Sequence, residues 1–300
     1  MRQVVVAVNP AAGTGASARV GPLVVEELRS AGLAVRVAAA PDERTLGERL
    51  RREVEAGLDA VVVVGGDGMV NLAVGVLAGS AVALGIVPAG TGNDAARGLG
   101  VPLGDPMDAC SRIIAALDAP ARLVDVGVIE PVGRPGERRR FLCAVSAGID
   151  ALINERANTL RFPRGPQRYT VALLVELVRL RPRRYRVTVD GVEHVVDSVL
   201  LAVANLGSIG GGMRIVPFAS ATDGMLDALV VAPVGRVRFL RLFPRVFAGR
   251  HTDLDVVSFL SGREMIIDTE EPVVAYADGE RIGPLPVRIG VEEGALRVLI

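Results

Sequence analysis

Apolar residues fall in short unbroken runs over the first hundred positions: residues 4–8, 60–64 and 82–87 contain no polar side chain. Segments 16–31, 44–56 and 69–78 between them repeat apolar residues every three to four positions, as amphipathic helices do, and 33–39 is a further strand-like run. Strands alternating with helices make a parallel sheet. Its strands are covered on both faces, which explains why they are apolar throughout rather than at every second residue. In such sheets ligands bind at the carboxyl ends of the strands.

Beyond about residue 125 the rhythm changes. Strand-like runs follow one another at 124–129, 140–146, 185–196, 198–205, 226–232, 264–268, 273–277, 286–291 and 295–299, interrupted by helical patterns at 150–159, 167–180 and 235–248. Asp190-Gly191 and Asp278-Gly279 are hairpin turn pairs, and 131–140 is an arginine-rich polar loop. The predicted fold is an α/β nucleotide-binding domain with a parallel sheet, followed by an antiparallel β-sandwich.

Composition sharpens this in three ways. Half of the 300 residues are hydrophobic but only 3% aromatic, with no Trp, so the core must be aliphatic. Arg and Lys together number 34, as do Asp and Glu, so no global field favours nucleic acid or an anionic surface, and any basic site is local. All 34 basic residues are arginine, which excludes a P-loop lysine, a Schiff-base lysine and a Ser-Lys dyad. His194 and His251 lie too far apart for a zinc helix, and Cys110 and Cys143 form no CxxC pair, which suits a reducing, cytoplasmic compartment. No apolar stretch reaches the ~18 residues of a spanning helix, and the run at 4–8 reads as a strand, not a signal peptide.

The candidate chemistry sits on glycine-bearing turns. Gly65-Gly66-Asp67-Gly68 follows the run 60–64 and precedes a helix, so backbone amides there can approach a phosphate while Asp67 holds Mg²⁺. A tight turn with Asp67 as helix cap is the structural alternative. Residues 88–94 (Pro-Ala-Gly-Thr-Gly-Asn-Asp) and 9–15 (Asn-Pro-Ala-Ala-Gly-Thr-Gly) form two more turns at the same sheet edge. Three convergent strand ends favour a divided phosphate and metal site.

These motifs resemble the diacylglycerol kinase catalytic family, relatives of sphingosine and ceramide kinases. The resemblance continues through Asn205, Gly210-Gly211-Gly212-Met213, Pro217-Phe218-Ala219, Asp223-Gly224-Met225-Leu226-Asp227 and Asp278-Gly279-Glu280. It implies an ATP-binding domain of the NAD-kinase and phosphofructokinase type over 1–124, rejoined by about 288–300, and a lipid-substrate sandwich over 125–287. It implies ATP bound by Asn9, Pro10, Ala11, Ala12, Gly13, Gly66, Asp67, Gly68, Met69, Val70, Asn71, Leu72 and Thr91. Asp67, Asp94 and Asp125 would hold Mg²⁺ through water, and Ser220, Asp223 and Met225 a structural Mg²⁺. Glu280 would be the general base, with Asp67 the second catalytic residue. The implied reaction is phosphorylation of a lipid hydroxyl, most naturally diacylglycerol, at a membrane surface, within phospholipid biosynthesis. Met69, Leu72 and Ala40 depart from the family's Thr, Glu and Thr, each losing a polar contact. A kinase for a soluble acceptor such as NAD, and a nucleotide sensor without turnover, are the competing readings.

One further segment stands apart. Phe239, Leu240, Phe243 and Phe247 recur at helical spacing, with Arg238, Arg241 and Arg245 on another face. The simpler expectation is that the apolar face packs on its own domain; the alternative is a membrane interface. A second cluster, Arg179 to Arg186, reads in the same two ways. The protein is thus expected to be cytoplasmic and peripheral to the inner membrane face, with no nucleic-acid partner; the sequence leaves its oligomeric state open.

Overall fold

The computed structural model describes residues 1–9, 15–40, 42–134, 136–160, 162 and 167–300. Its first part alternates strands and helices: β1 (Gln3–Val8), α1 (Ala16–Ser30), β2 (Ala34–Ala39), α2 (Glu43–Glu55), β3 (Ala60–Gly65), α3 (Asp67–Leu77), β4 (Ala83–Pro88), α4 (Asp94–Leu99) and α5 (Pro106–Ala116). Strands follow: β5 (Arg122–Pro131), β6 (Arg139–Phe141) and β7 (Ala144–Ser146). Helices α6 (Ile149–Thr159) and α7 (Gln167–Val178) precede β8 (Arg183–Val189), β9 (Val192–Ser198), β10 (Leu200–Ala204) and β11 (Leu226–Val231). After α8 (Arg236–Leu242) and α9 (Pro244–Phe247) come β12 (Val257–Gly262), β13 (Glu264–Thr269), β14 (Val274–Ala277), β15 (Glu280–Pro284) and β16 (Val287–Val298).

Among the described residues these strands make two sheets. One runs β2-β1-β3-β4-β16-β13-β8-β9, with β5 paired to β16 and β6; the other runs β12-β11-β10-β7-β14-β15. The first four strands are parallel and all later pairings but β16 with β4 are antiparallel. Leu46, Leu50, Val70, Val74 and Leu77 of α2 and α3 bury one face of the parallel part. Val24, Leu28, Cys110 and Ile113 of α1 and α5 bury the other. Tyr185, Val187, Leu201, Val203, Met265, Ile267, Val287 and Ile289 fill the space between the two sheets.

Several boundaries differ from the sequence pattern for identifiable reasons. The run 185–196 is interrupted because Asp190 and Gly191 adopt positive φ (46° and 85°), closing a hairpin between β8 and β9. The runs 286–291 and 295–299 are one strand, whose pairing with β5 bulges between Glu292 and Leu296. The helix expected over 235–248 breaks at Phe243, because Pro244 has no N–H to donate to the preceding turn. The sequence pattern does not predict strands β12 and β15 or helices α4 and α5, although α5 buries Ala109, Cys110 and Ile113 at helical spacing.

Asp125 holds the junction of β5, β16 and the 220–225 loop. Its Oδ1 accepts Gly294 N–H at 2.7 Å and its Oδ2 accepts Gly224 N–H at 2.8 Å. Its own N–H donates to Ala221 O, and its carbonyl accepts Asn205 Nδ2. This side chain is buried, so truncation strands two amides. An orphaned buried group costs about 1–3 kcal/mol, so Asp125→Ala should destabilise the fold by about 2–4 kcal/mol in urea unfolding at neutral pH. A loss below about 0.5 kcal/mol, the range of ordinary surface changes, would remove Asp125 from this role.

Candidate active site

The carboxyl ends of β3 and β4 carry two turns that touch. A Cβ placed on Gly90 would come within 2.4 Å of Gly66 Cα, so only glycine permits the approach. Asn93, at φ 54°, fixes the second turn by accepting Gly90 N–H and donating Nδ2 to Gly90 O. Asp67 Oδ1 then accepts Ala95 N–H at 3.0 Å, tying the first turn of α3 to that of α4. Burial raises the Asp67 carboxyl, amide hydrogen bonds lower it, and the charge of Asp94 raises it, with a net upward shift.

Asp94 connects this edge to the later part of the chain. It pairs with Arg97 at 2.7 Å and accepts Gly211 N–H at 2.6 Å and Gly212 N–H at 2.7 Å. Arg97 also donates to Gly92 O. Asp278 acts similarly on the other side. Its carboxylate accepts the amides of Leu142, Cys143 and Ala144 at 2.7 to 3.0 Å, and burial pushes its pKa up to about 6, with a small contribution from Asp67. The buried Cys143 thiol is raised well above 9, first by desolvation and then by the charges of Asp278, Asp67 and Asp94. The charges of three carboxylates thus reach Cys143.

Two residues beyond Asp278, Glu280 opens β15 with an exposed side chain. Its neighbour Arg281 donates to Glu155 of α6 at 3.2 Å, and Tyr276 donates its hydroxyl to the same oxygen at 2.5 Å. Opposite stands Glu43, the first residue of α2, whose Oε1 lies 3.6 Å from where a Cβ on Gly68 would be. Burial raises the Glu43 carboxyl and the charge of Glu280 raises it further. The glycine turn of α3, Glu43 and Glu280 therefore form one neighbourhood.

Of the expected nucleotide residues, Gly66 to Leu72 and Thr91 lie on these turns or along α3, and Asn9 is buried at the end of β1. Pro10, Ala11, Ala12 and Gly13 lie outside the described residues. Met69 is buried because its side chain covers Gly65, where an added Cβ would meet it at 2.8 Å, and Leu72 rests on Gly47 of α2. Ala40 joins the same cluster. Three positions where the family carries polar groups are an apolar seam here. A cavity of about 820 Å³ between α1 and β1–β2 has Val8 and Ala39 on its wall and none of the site carboxylates.

The magnesium residues Asp67, Asp94 and Asp125 are expected to hold the ion through water rather than directly. Both oxygens of Asp94 and of Asp125 are engaged by backbone amides, and among the described residues no three His, Cys, Asp or Glu side chains are grouped to hold a metal. Asp67 lies beside both glycine turns: a Cβ on Gly92 would come within 2.6 Å of its Oδ2. Ser220, Asp223 and Met225 share one loop, in which Asp223 Oδ1 accepts Met225 N–H and Ser220 Oγ bonds Thr222 Oγ1.

Sequence reasoning missed Glu43, although the signal existed. Asp42 caps α2 by accepting the N–H and hydroxyl of Thr45, so Asp42-Glu43 is one more acidic strand-to-helix turn at the edge already singled out. It also missed Glu155, which acts across elements far apart in sequence, and Arg97, which pairs with Asp94 within one helical turn.

Comparison with known proteins fits this geometry. A family model for the diacylglycerol kinase catalytic domain matches residues 3–127, and one for the YegS C-terminal NAD kinase beta sandwich-like domain matches 143–300. A diacylglycerol kinase of Mycobacterium tuberculosis is 39% identical over 293 residues, covering 97% of this chain and 93% of that protein. The chain belongs to the diacylglycerol kinase family. A family member from Bacillus subtilis, also named diacylglycerol kinase, is 27% identical over 246 residues, covering 80% of this chain and 78% of its own. A crystal structure of a diacylglycerol kinase from Bacillus anthracis shares the fold, with a TM-score of 0.75 at 22% identity over 99% of this chain and 96% of that one. As a member of this family the chain is a lipid kinase, a phosphotransferase with an alcohol group as acceptor.

One carboxylate near the site makes a pH prediction. The buried oxygens of Asp150, in the first turn of α6, form no hydrogen bond of good geometry, although Ser146 and the first helical amides are near, and burial pushes its pKa up to about 6. The folded protein keeps this proton to about pH 6 while an unfolded aspartate releases it near 4. Its contribution to stability is therefore present below pH 4 and lost as pH rises through 6. Asp278 shifts in the same direction, so a single variant must isolate one group. Asp150→Asn should match the wild type near pH 4 and exceed its stability by on the order of 2–3 kcal/mol at pH 7.5 in urea unfolding. Parallel profiles would contradict the assignment.

Proposed function

We propose that the chain transfers the γ-phosphoryl group of ATP to the hydroxyl of diacylglycerol presented at a membrane surface. The observation that supports this reading is that Glu280, a residue from the opposite half of the chain, lies within electrostatic reach of Glu43, whose carboxylate borders the α3 glycine turn. Amides at the start of α3, with the favourable end of the helix dipole, suit polyphosphate, and the contact of Gly66 with Gly90 leaves backbone rather than side chain exposed to it. Residues 1–124 with 288–300 would form the ATP side and 125–287 the acceptor side; the pairing of β16 with β4 supports that division. Mg²⁺ carried by the nucleotide would supply charge neutralisation, with Asp67 the carboxylate beside it.

Phosphoryl transfer requires positioning more than a strong nucleophile, but the acceptor hydroxyl must lose a proton. Glu280 is an exposed carboxylate, and its hairpin is held on one side by Asp278 and on the other by the Arg281–Glu155 pair. Met69 and Leu72 are part of the hydrophobic core, so the departures that suggested a sensor without turnover have a packing explanation.

Glu280→Gln tests the reading with radiolabelled ATP and detergent-dispersed diacylglycerol. ATP affinity and Tm should be unchanged while kcat falls by about 10²-fold or more, the usual range for a lost general base. A kcat within a few-fold of wild type would take Glu280 out of the chemistry. Asp67→Asn should also remove most turnover; near wild-type activity there would exclude Asp67 from the phosphate site.

A further inference from the structure

The segment α8–α9 satisfies only half of its apolar surface. Phe239 is buried with Ile149, Leu177 and Val199, and Phe243 stacks on it with ring centroids 5.9 Å apart. The inward face expected from the sequence therefore exists. The outward face does not turn polar. Val237 is 63% exposed, Leu240 49% and Phe247 49%. Nearby Phe218, 55% exposed, follows Pro217, which lies against Gly249 just beyond α9.

The charge of this face is one-sided. From residue 228 to 252 the chain holds five arginines and no Asp or Glu. Arg238 is paired with Asp255, whereas Arg236, Arg241, Arg245 and Arg250 are exposed and form no ion pair among the described residues. In a chain whose formal charge is zero, this is a local basic fringe around protruding apolar side chains. The face also adjoins the strip that Asp94 holds. Arg214 N–H donates to Val246 O of α9, and the same strip supplies the Gly211 and Gly212 amides that Asp94 holds.

Apolar tips fringed by four arginines without an ion pair, against Asp255 that meets Arg238, match the boundary between acyl chains and anionic headgroups. We propose that Val237, Leu240 and Phe247, with Arg236, Arg241 and Arg245, dock this protein on an anionic bilayer and hold its active site near the surface. The proposal rests on the reading of the acceptor as a membrane lipid, but its test does not depend on turnover. The full chain is floated with vesicles of phosphatidylcholine alone and of phosphatidylcholine mixed with phosphatidylglycerol, at low and high salt. Binding is expected only to the mixed vesicles, and is weakened by salt, which screens exposed charges.

Two paired variants, Leu240→Glu with Phe247→Glu and Arg241→Glu with Arg245→Glu, should each lower vesicle binding at least tenfold with Tm unchanged. Each should retain turnover on a short-chain diacylglycerol in detergent. Wild-type binding to neither vesicle, equal binding to both, or vesicle binding unaltered in the two variants would overturn the proposal. So would a concentration-dependent dimer abolished by the same substitutions without vesicle binding, which would assign the face to a second copy. Vesicle binding with no turnover on any diacylglycerol would instead overturn the acceptor assignment and leave the docking face standing.

Discussion

Strand β16 is the constraint on which the arrangement depends. Near its end Arg297 and Val298 pair in parallel with Ala83 and Leu84 of β4, while Val287 to Gly290 pair antiparallel with β13. Along its other edge it runs against β5 from Val287 to Val298. One continuous ladder therefore belongs both to the sheet that presents the glycine turns and to the sandwich that presents Glu280. The bulge beside Glu292 bends it, and Gly294 at the bend gives its amide to Asp125. Because backbone hydrogen bonds are short and directional, the ladder restricts sliding of one half against the other.

Onto this frame buried carboxylates attach the loops. Asp94, Asp125 and Asp278 together accept seven backbone amides. A carboxylate taken out of water needs several donors to remain charged, and a loop amide taken out of water needs an acceptor. The two demands meet in the same bonds. The result is a set of turns fixed from outside by side chains rather than from within by regular structure, which suits a site that positions phosphates more than it supplies reactive groups.

The fold was legible where composition had no choice. The apolar runs at 60–64 and 82–87 could only be buried strands, and the change of rhythm near 125 marked the antiparallel part. The turns at 65–68 and 88–94 were legible for a related reason: glycine beside aspartate at a strand end narrows the possibilities. What was not legible were features set by partners distant in sequence. The carboxylates of Asp94 and Asp125, expected to hold Mg²⁺ through water, also accept amides from positions 211, 212, 224 and 294, which no local pattern announces. Likewise Glu43 looks like an ordinary first-turn acid until α2 is laid beside α3. Met69 looks like a lost hydroxyl until Gly65 is found beneath it.

The placement of Cys143 has a chemical consequence. Its amide is bound by Asp278, its carbonyl accepts the amides of Asn205 and Leu206, and its sulfur lies under negative charge in a dry interior. Only the thiolate reacts with oxidants and alkylating agents, and here the thiolate is suppressed far beyond neutral pH. The other cysteine, Cys110, is also buried, with its pKa pushed up to about 11. A centre built from backbone amides, carboxylates and arginine, with both cysteines of the chain buried as unreactive thiols, offers electrophiles no thiolate to attack.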